Sequence, residues 1–248
     1  MNNIVLVIEY DGTNYYGWQR QPGYPTIQKE IEDVLSKILQ TNVILIASGR
    51  TDKGVHARGQ VTNFKIDKNV DLEKLGKALN SLLPQDIRVK KIYSASPSFH
   101  ARFSAKEKIY YYYFSHNSKY SPILRNYVWF MPYKFNIRKM KEIGKVFIGT
   151  HDFSSFRNLR GKWERDSNSI RTIFSSDIIR TKGGIYIYRI SGNGFFYKMV
   201  RNIFGLISSV GMGKLSYKDA ISIFEARNRA LALPPAPPQG LFLIRVRY

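Results

Sequence analysis

Hydrophobic periodicity alternates between strand and helix spacing in one order, and that order restricts the fold more than any other feature. Asn3 to Glu9 alternates loosely, as a half-buried strand does. A turn-rich loop, Tyr10 to Pro25, follows. Thr26 then stands as an N-cap ahead of Ile27, Ile31, Val34, Leu35, Ile38 and Leu39 at helical spacing. Val43 to Ala47 and Gln60 to Ile66 read as strands. Leu72, Leu75, Ala78, Leu79, Leu82 and Leu83 mark a helix stopped by Pro84, and Ile87 to Ser94 closes the series as a strand. The order is β-α-β-β-α-β, the split βαβ arrangement.

A similar order recurs. Lys108 to Ser115 reads as a strand and Ile137 to Ile148 as a helix. Ile170 to Arg180 and Ile185 to Ile190 are strands meeting at Gly183-Gly184. Phe196, Met199, Val200, Ile203, Phe204 and Ile207 form a helical apolar face. The sequence "GMGK", Gly211 to Lys214, ends that helix. A further helix spans about Tyr217 to Asn228. The stretch "LALPPAPPQG" is a stiff connector, and Leu241 to Val246 is a last strand. The expectation is an α+β protein of two ferredoxin-like halves, 1–104 and 105–248. Their mainly antiparallel sheets would be joined across a basic central cleft, a common place for a ligand site.

Thirty-nine Lys and Arg against eighteen Asp and Glu give a net charge of +21. Such an excess repels itself in a compact chain, and a polyanion such as RNA relieves it. Seventeen Tyr, fifteen Phe and three Trp add flat rings on which unstacked bases could lie, although most are expected in the core. With no cysteine, the chain has neither disulfides nor thiolate chemistry. The start, "MNNIVLVIEYDG", has no basic n-region, and no run approaches the roughly 18 to 20 apolar residues that cross a bilayer. The expectation is a soluble, intracellular protein without a membrane partner.

Several chemistries lack their parts. There is no P-loop for ATP and no G-x-S-x-G elbow. The four histidines, His56, His100, His116 and His151, show no metal-binding spacing. One stretch stands out: "ASGRTDKGVHA", Ala47 to Ala57, which puts Asp52 between Arg50 and Lys53 in a turn beyond a buried-looking strand. Nearby cations favour the ionised carboxylate, which can act as nucleophile or base but not as acid. The structural alternative is an Arg-Asp brace that holds the turn. A basic segment, "NLRGKWERDSN" (Asn158 to Asn168), reads as an exposed loop, either a solvated insertion or a grip on substrate.

"GRTDKGVHA" resembles the signature of the TruA-type tRNA pseudouridine synthases. Further stretches carry the same resemblance: "YDGTNYYGWQRQ", "TIQKEIE", "FHARFSA", "GTHDFSSF", "SIRTI", "GNGFFYKMVRNIFGLISSVGMGK" and "PPAPPQGLFL". It runs from about residue 4 to the C terminus. The resemblance implies isomerisation of uridine to pseudouridine at positions 38, 39 and 40 of the tRNA anticodon stem-loop, with no cofactor and no metal. It implies a homodimer in the cytoplasm with tRNA, not DNA, as partner. Asp52 matches the family's catalytic carboxylate. Arg50 matches the arginine that fills the vacated stack or holds the flipped nucleotide. Tyr110 matches the tyrosine lying against the uracil, and Leu243 an apolar residue lining the pocket. Arg201 matches the arginine that pairs with the catalytic Asp, a pair that would form across the cleft. The chain departs from the family beside that tyrosine, where it has Ile109 and Tyr111 in place of basic residues.

Three rivals stand beside this reading. A non-catalytic RNA-binding protein on the same scaffold fits the charge and the rings. A synthase of the same family could act on another tRNA position or on rRNA. A carboxylate-dependent glycosidase or nuclease needs two acidic groups of different pKa, and only one good candidate is present.

Overall fold

The computed structural model describes residues 2–158 and 168–248. The basic segment read as a loop lies outside them except for its ends, Asn158 and Asn168. The fold is α+β. It divides into two compact units, Met1–Lys106 with Phe242–Tyr248, and Glu107–Leu241.

In the first unit the elements are β1 (Asn2–Tyr10), α1 (Ile27–Leu39), β2 (Ile46–Ala47), β3 (His56–Ile66), α2 (Leu72–Leu82) and β4 (Ile87–Ala95). β1 lies between β4 and β3, antiparallel to both, with Val5 opposite Asn63 and Tyr93. α1 buries Ile27, Ile31, Leu35 and Leu39, the stripe expected from their spacing. Thr26 stands at its N-cap with extended backbone but donates no side-chain cap. Asp71 does cap α2, accepting from the Lys74 N–H at 3.0 Å.

β2 is shorter than its apolar run. The Val43 N–H donates to Ser36 Oγ at 3.0 Å and the Leu45 N–H to Glu32 Oε1 at 2.9 Å. Side chains of α1 thus take the donors that a strand neighbour would have used, and ladder pairing begins only at Ile46, opposite Asn63. The last strand of the chain, β10 (Leu241–Arg247), runs parallel to β3, with Phe242 opposite His56 and Leu243 opposite Ala57.

In the second unit β5 (Glu107–His116), β9 (Tyr186–Gly192), β8 (Ile170–Arg180) and β7 (Gly149–Asp152) form an antiparallel series in that order. A short β6 (Trp129–Met131) lies parallel to the end of β5. The helices are α3 (Ile137–Lys145), α4 (Met199–Gly211) and α5 (Tyr217–Glu225). α4 is buried nearly all round. Its Phe204 packs on Tyr112 at 4.3 Å, Phe114 at 4.9 Å and Tyr188 at 5.2 Å between ring centroids. Phe147, Phe153, Phe156 and Phe224 make a second aromatic cluster. Much of the ring content is therefore core, worth about 0.5–1.5 kcal/mol per aromatic pair beyond its buried area.

Phe196, grouped by spacing with the α4 face, lies outside the helix. α4 starts at Met199, because Lys198 holds a left-handed backbone at φ 61°. At its other end Gly213 has φ 73°, so "GMGK" does terminate it.

Candidate active site

Residues 48–55 join β2 to β3 and carry Asp52. Polar side chains of β3 and β1 hold this turn. The Ser48 N–H donates to the Val61 carbonyl at 2.8 Å, and Ser48 Oγ donates to Gln60 Oε1 at 2.7 Å. Gln60 Nε2 reaches back to the Gly49 carbonyl at 2.8 Å. Thr51 Oγ1 pairs with the Tyr10 hydroxyl at 2.8 Å. The Val55 N–H donates to the Asp52 carbonyl at 3.1 Å, closing a tight turn with Gly54 at φ 75°.

The loop after β1 grips the turn from outside. The Trp18 N–H donates to the Thr51 carbonyl at 3.0 Å, and the Gly54 N–H to the Tyr15 carbonyl at 3.4 Å. Burial pushes the Tyr15 hydroxyl up to about 12, with Asp86 adding to the effect. Two glycines allow the approach. A Cβ on Gly12 would lie 2.1 Å from the Val55 carbonyl oxygen, and one on Gly17 would lie 2.5 Å from that of Thr51. Buried His56 accepts the Gly12 N–H at Nδ1, 3.1 Å away, and stacks on Phe242 at 4.5 Å. Asp11 Oδ1 lies 3.0 Å from the same nitrogen. A ring nitrogen that accepts from Gly12 has no proton for Asp11, which is served instead by the Thr13 N–H and hydroxyl at 2.9 and 2.6 Å.

Within this frame Asp52 is half-buried, Arg50 and Lys53 are exposed, and Leu243 is fully buried beside Ala57. The Lys53 ammonium lies 3.7 Å from the Tyr16 ring centroid, and Tyr16 packs on Tyr24 at 4.3 Å.

The second unit carries Tyr110 and Arg201. Alternation along β5 buries Tyr110, Tyr112 and Phe114 and leaves Tyr111 and Tyr113 half-exposed. Tyr112 is committed to the core: its hydroxyl donates to the Pro237 carbonyl at 2.6 Å. Burial raises that hydroxyl well above the ordinary tyrosine range, against the opposing field of Arg201. Tyr110 is 7% exposed and meets the Phe195 ring edge-on at 5.2 Å. Tyr112→Phe removes a buried donor and leaves the Pro237 carbonyl short of one, so stability should fall by about 1–3 kcal/mol. A urea titration at unchanged m-value would read that loss.

Arg201, in the first turn of α4, is 8% exposed and not a surface cation. Its Nε donates to the Ala236 carbonyl at 2.8 Å, and the Ala236 N–H returns a bond to the Arg201 carbonyl at 3.0 Å. The proline-rich connector is thereby clasped to α4. Gly205 permits this, since a Cβ there would stand 2.7 Å from the Pro234 carbonyl oxygen. Removing a guanidinium from water costs several kcal/mol unless charge compensates it, so the position is suited to holding an anion.

Periodicity and motif reading passed over further polar groups of the second unit. Asn202 on α4 donates to the Phe156 carbonyl at 2.7 Å and to Asn158 Oδ1 at 2.8 Å, while Arg229 Nη2 donates to Asn202 Oδ1 at 3.2 Å. Arg157 and Arg171 both pack on Phe196. Arg157 directly follows "GTHDFSSF", and Arg171 sits inside "SIRTI"; as single cations 14 positions apart they show no pattern in the sequence. Among the described residues no group of three or more His, Asp or Glu side chains is gathered as metal ligands. No helix there is long and apolar enough to cross a membrane.

A fixed carboxylate turn in one unit, with a buried tyrosine and a buried arginine in the other, agrees with comparison to known proteins. The family model described as tRNA pseudouridine synthase matches residues 6–104 and 143–248. That match takes in Arg50, Asp52, Arg201 and Leu243, and Tyr110 falls in the interval between its parts. The chain is 44% identical over 244 residues to tRNA pseudouridine synthase A 1 of Protochlamydia amoebophila, covering 98% of this chain and 95% of that one. It is 43% identical to tRNA pseudouridine synthase A of Thermoanaerobacter sp. (strain X514) and 45% identical to that of Caldicellulosiruptor saccharolyticus, each over the full length of both chains. A crystal structure of an archaeal box H/ACA sRNP Nop10-Cbf5 complex contains a similar chain at TM-score 0.37 and 12% identity. The match covers 83% of this chain and 44% of that one.

The chain belongs to the tRNA pseudouridine synthase family. It is an isomerase acting on uridine in tRNA.

Proposed function

We propose that this enzyme converts uridine to pseudouridine at positions 38, 39 and 40 of the tRNA anticodon stem-loop, without a cofactor, using Asp52 as the catalytic carboxylate. The observation that carries the reading is the Asp52 turn. Its backbone is held from β1, β3 and the loop after β1, while the carboxylate stays half-exposed. A reacting group needs this combination of fixed position and access.

The reaction breaks the N1–C1′ bond, turns the base and forms a C5–C1′ bond. The proton leaving C5 is matched by one gained at N1, so atoms and electrons balance with no co-reactant. The base must first leave its stack. Arg50, exposed on the turn, would fill the vacated space or hold the displaced nucleotide, since a guanidinium can both stack and bond a phosphate. Tyr110 would lie against the uracil and Leu243 would back the pocket. Arg201 would keep Asp52 ionised. The strand order β4-β1-β3-β2, antiparallel throughout, supports a ferredoxin-like first half. In this reading the enzyme is a cytoplasmic homodimer.

Incubation of the purified protein with an unmodified tRNA transcript and no additive, followed by pseudouridine mapping, tests the reading. Conversion at 38 to 40 is expected. Conversion only elsewhere would keep the chemistry and overturn the positions. RNA binding without any conversion would return the non-catalytic reading to first place. Affinity should also fall steeply with salt, since a +21 chain binding phosphates releases counterions. A flat salt response would assign the charge to another role.

A further inference from the structure

The second unit holds a pair of withdrawn cations. Arg157 follows the helical turn Ser154–Phe156 and is only 5% exposed. Its Nη1 donates to Ser169 Oγ at 2.9 Å. Arg171, near the start of β8, is half-buried, and its Nη1 donates to the Ile170 carbonyl at 2.6 Å. Both guanidiniums pack on the ring of Phe196, with their central carbons 5.1 and 3.9 Å from its centroid. Among the described residues no carboxylate forms an ion pair with Arg171. Burial, and then the field of Arg157, both work against its charge. A guanidinium stays protonated regardless, so the free protein carries the repulsion as strain. Strain of this kind persists where function needs it.

The same loop reaches the proposed uracil-stacking tyrosine. Phe195, the residue before Phe196, meets Tyr110 edge-on at 5.2 Å. We propose that Arg157 and Arg171, packed together on Phe196, form a site for one RNA backbone phosphate close to the displaced uridine. The assignment to RNA rests on the function proposed above. Guanidinium forks match phosphate oxygens two at a time, and a phosphodiester would offset the mutual repulsion. Phe196 supplies a flat wall that keeps the two cations apart and part of the site dry.

The test uses the full-length protein, an unmodified tRNA transcript, and the variants Arg171→Gln and Arg171→Lys. Arg171→Gln should weaken binding about tenfold at moderate salt, the scale of a lost charged hydrogen bond. It should lower the slope of log affinity against log salt by about 0.7–0.9, the signature of one phosphate contact. Its melting midpoint without RNA should rise by about 2 °C, because the repulsion is gone. Arg171→Lys keeps the charge but not the fork, so it should retain the salt slope and still bind more weakly. A stem-loop carrying one uncharged methylphosphonate linkage, moved along the backbone, should lose wild-type affinity at one linkage beside the target uridine. Arg171→Gln should be insensitive to that linkage.

Unchanged affinity and slope, or a lower midpoint for Arg171→Gln, would overturn the site. A slope lost on RNA that is never converted would keep the phosphate site and remove the function proposed above. Normal conversion with an unchanged slope would do the opposite. An Arg171→Gln protein that fails to fold would show that the cation stabilises the free chain, against the strain argument.

Discussion

Asp52→Asn abolishes pseudouridine formation, a fall of about 10⁴-fold or more, while tRNA affinity stays within a few-fold of wild type. The size follows from losing the one group that reacts, which in other nucleophilic enzymes costs roughly 10⁴ to 10⁶ in turnover. Asparagine keeps the shape of the side chain and removes the charge. The turn should survive the change, because the bonds that fix it run through Ser48, Gly49, Thr51 and Gln60 and through the backbone carbonyl of Asp52. Binding should survive because phosphate contacts dominate affinity. The net charge moves from +21 to +22, which cannot weaken a polyanion's grip. Asp52→Glu keeps the charge but shifts the carboxylate by one methylene, and displacement near 1 Å costs about 10²-fold. Single-turnover mapping with saturating enzyme, beside equilibrium binding of the same transcript, separates the two effects. Wild-type rates in Asp52→Asn would remove Asp52 from the chemistry and leave its turn as a fold signature.

The same turn shows where sequence reading reached and where it stopped. The motif drew attention to Asp52 because charges and glycines cluster there within eleven residues. Its supports are scattered through Tyr10, Trp18, Gln60 and the loop glycines, and their partnership exists only once β1 and β3 pair. The helical stripes of α1 and α2 were legible, since burial follows spacing when one face meets a sheet. The start of β3 at His56 was not, because it falls inside the polar motif. β6 and β7 were missed because strands of three or four residues are too short to display a period. The partner of β10 could not be read at all: a parallel pairing between Leu243 and Ala57 leaves no local trace in either segment. Phe196 was misplaced by a match to helical spacing that a left-handed Lys198 interrupts. Arg201 was read from resemblance, and its burial against Ala236 was invisible until α4 and the connector were seen together. The arginine pair on Phe196 escaped for the same reason.

Gly17→Ala should cost about 3 kcal/mol of stability and about 10²-fold in turnover, with tRNA affinity nearly unchanged. Gly17 holds φ 87°, where a side chain strains the backbone by about 1 kcal/mol or more. The added methyl would also stand 2.5 Å from the Thr51 carbonyl oxygen, 3.0 Å from the Asp52 carbonyl carbon and 3.1 Å from the Lys53 nitrogen. All three are main-chain atoms of the Asp52 turn, so no side chain can swing aside. Overpacking of that kind adds about 1–3 kcal/mol. Either the 3.0 Å bond from Trp18 to Thr51 opens or the turn moves, and both displace the carboxylate. Gly23 supplies the control. It lies in the same loop at φ 76°, yet a Cβ there meets nothing within 4 Å. Gly23→Ala should therefore carry only the backbone strain, about 1 kcal/mol, and leave turnover near wild type. Chemical denaturation of the two variants, read beside their single-turnover rates, isolates the contact from the conformation. If Gly17→Ala matched Gly23→Ala in both, the loop after β1 would be a neighbour of the Asp52 turn and not its support.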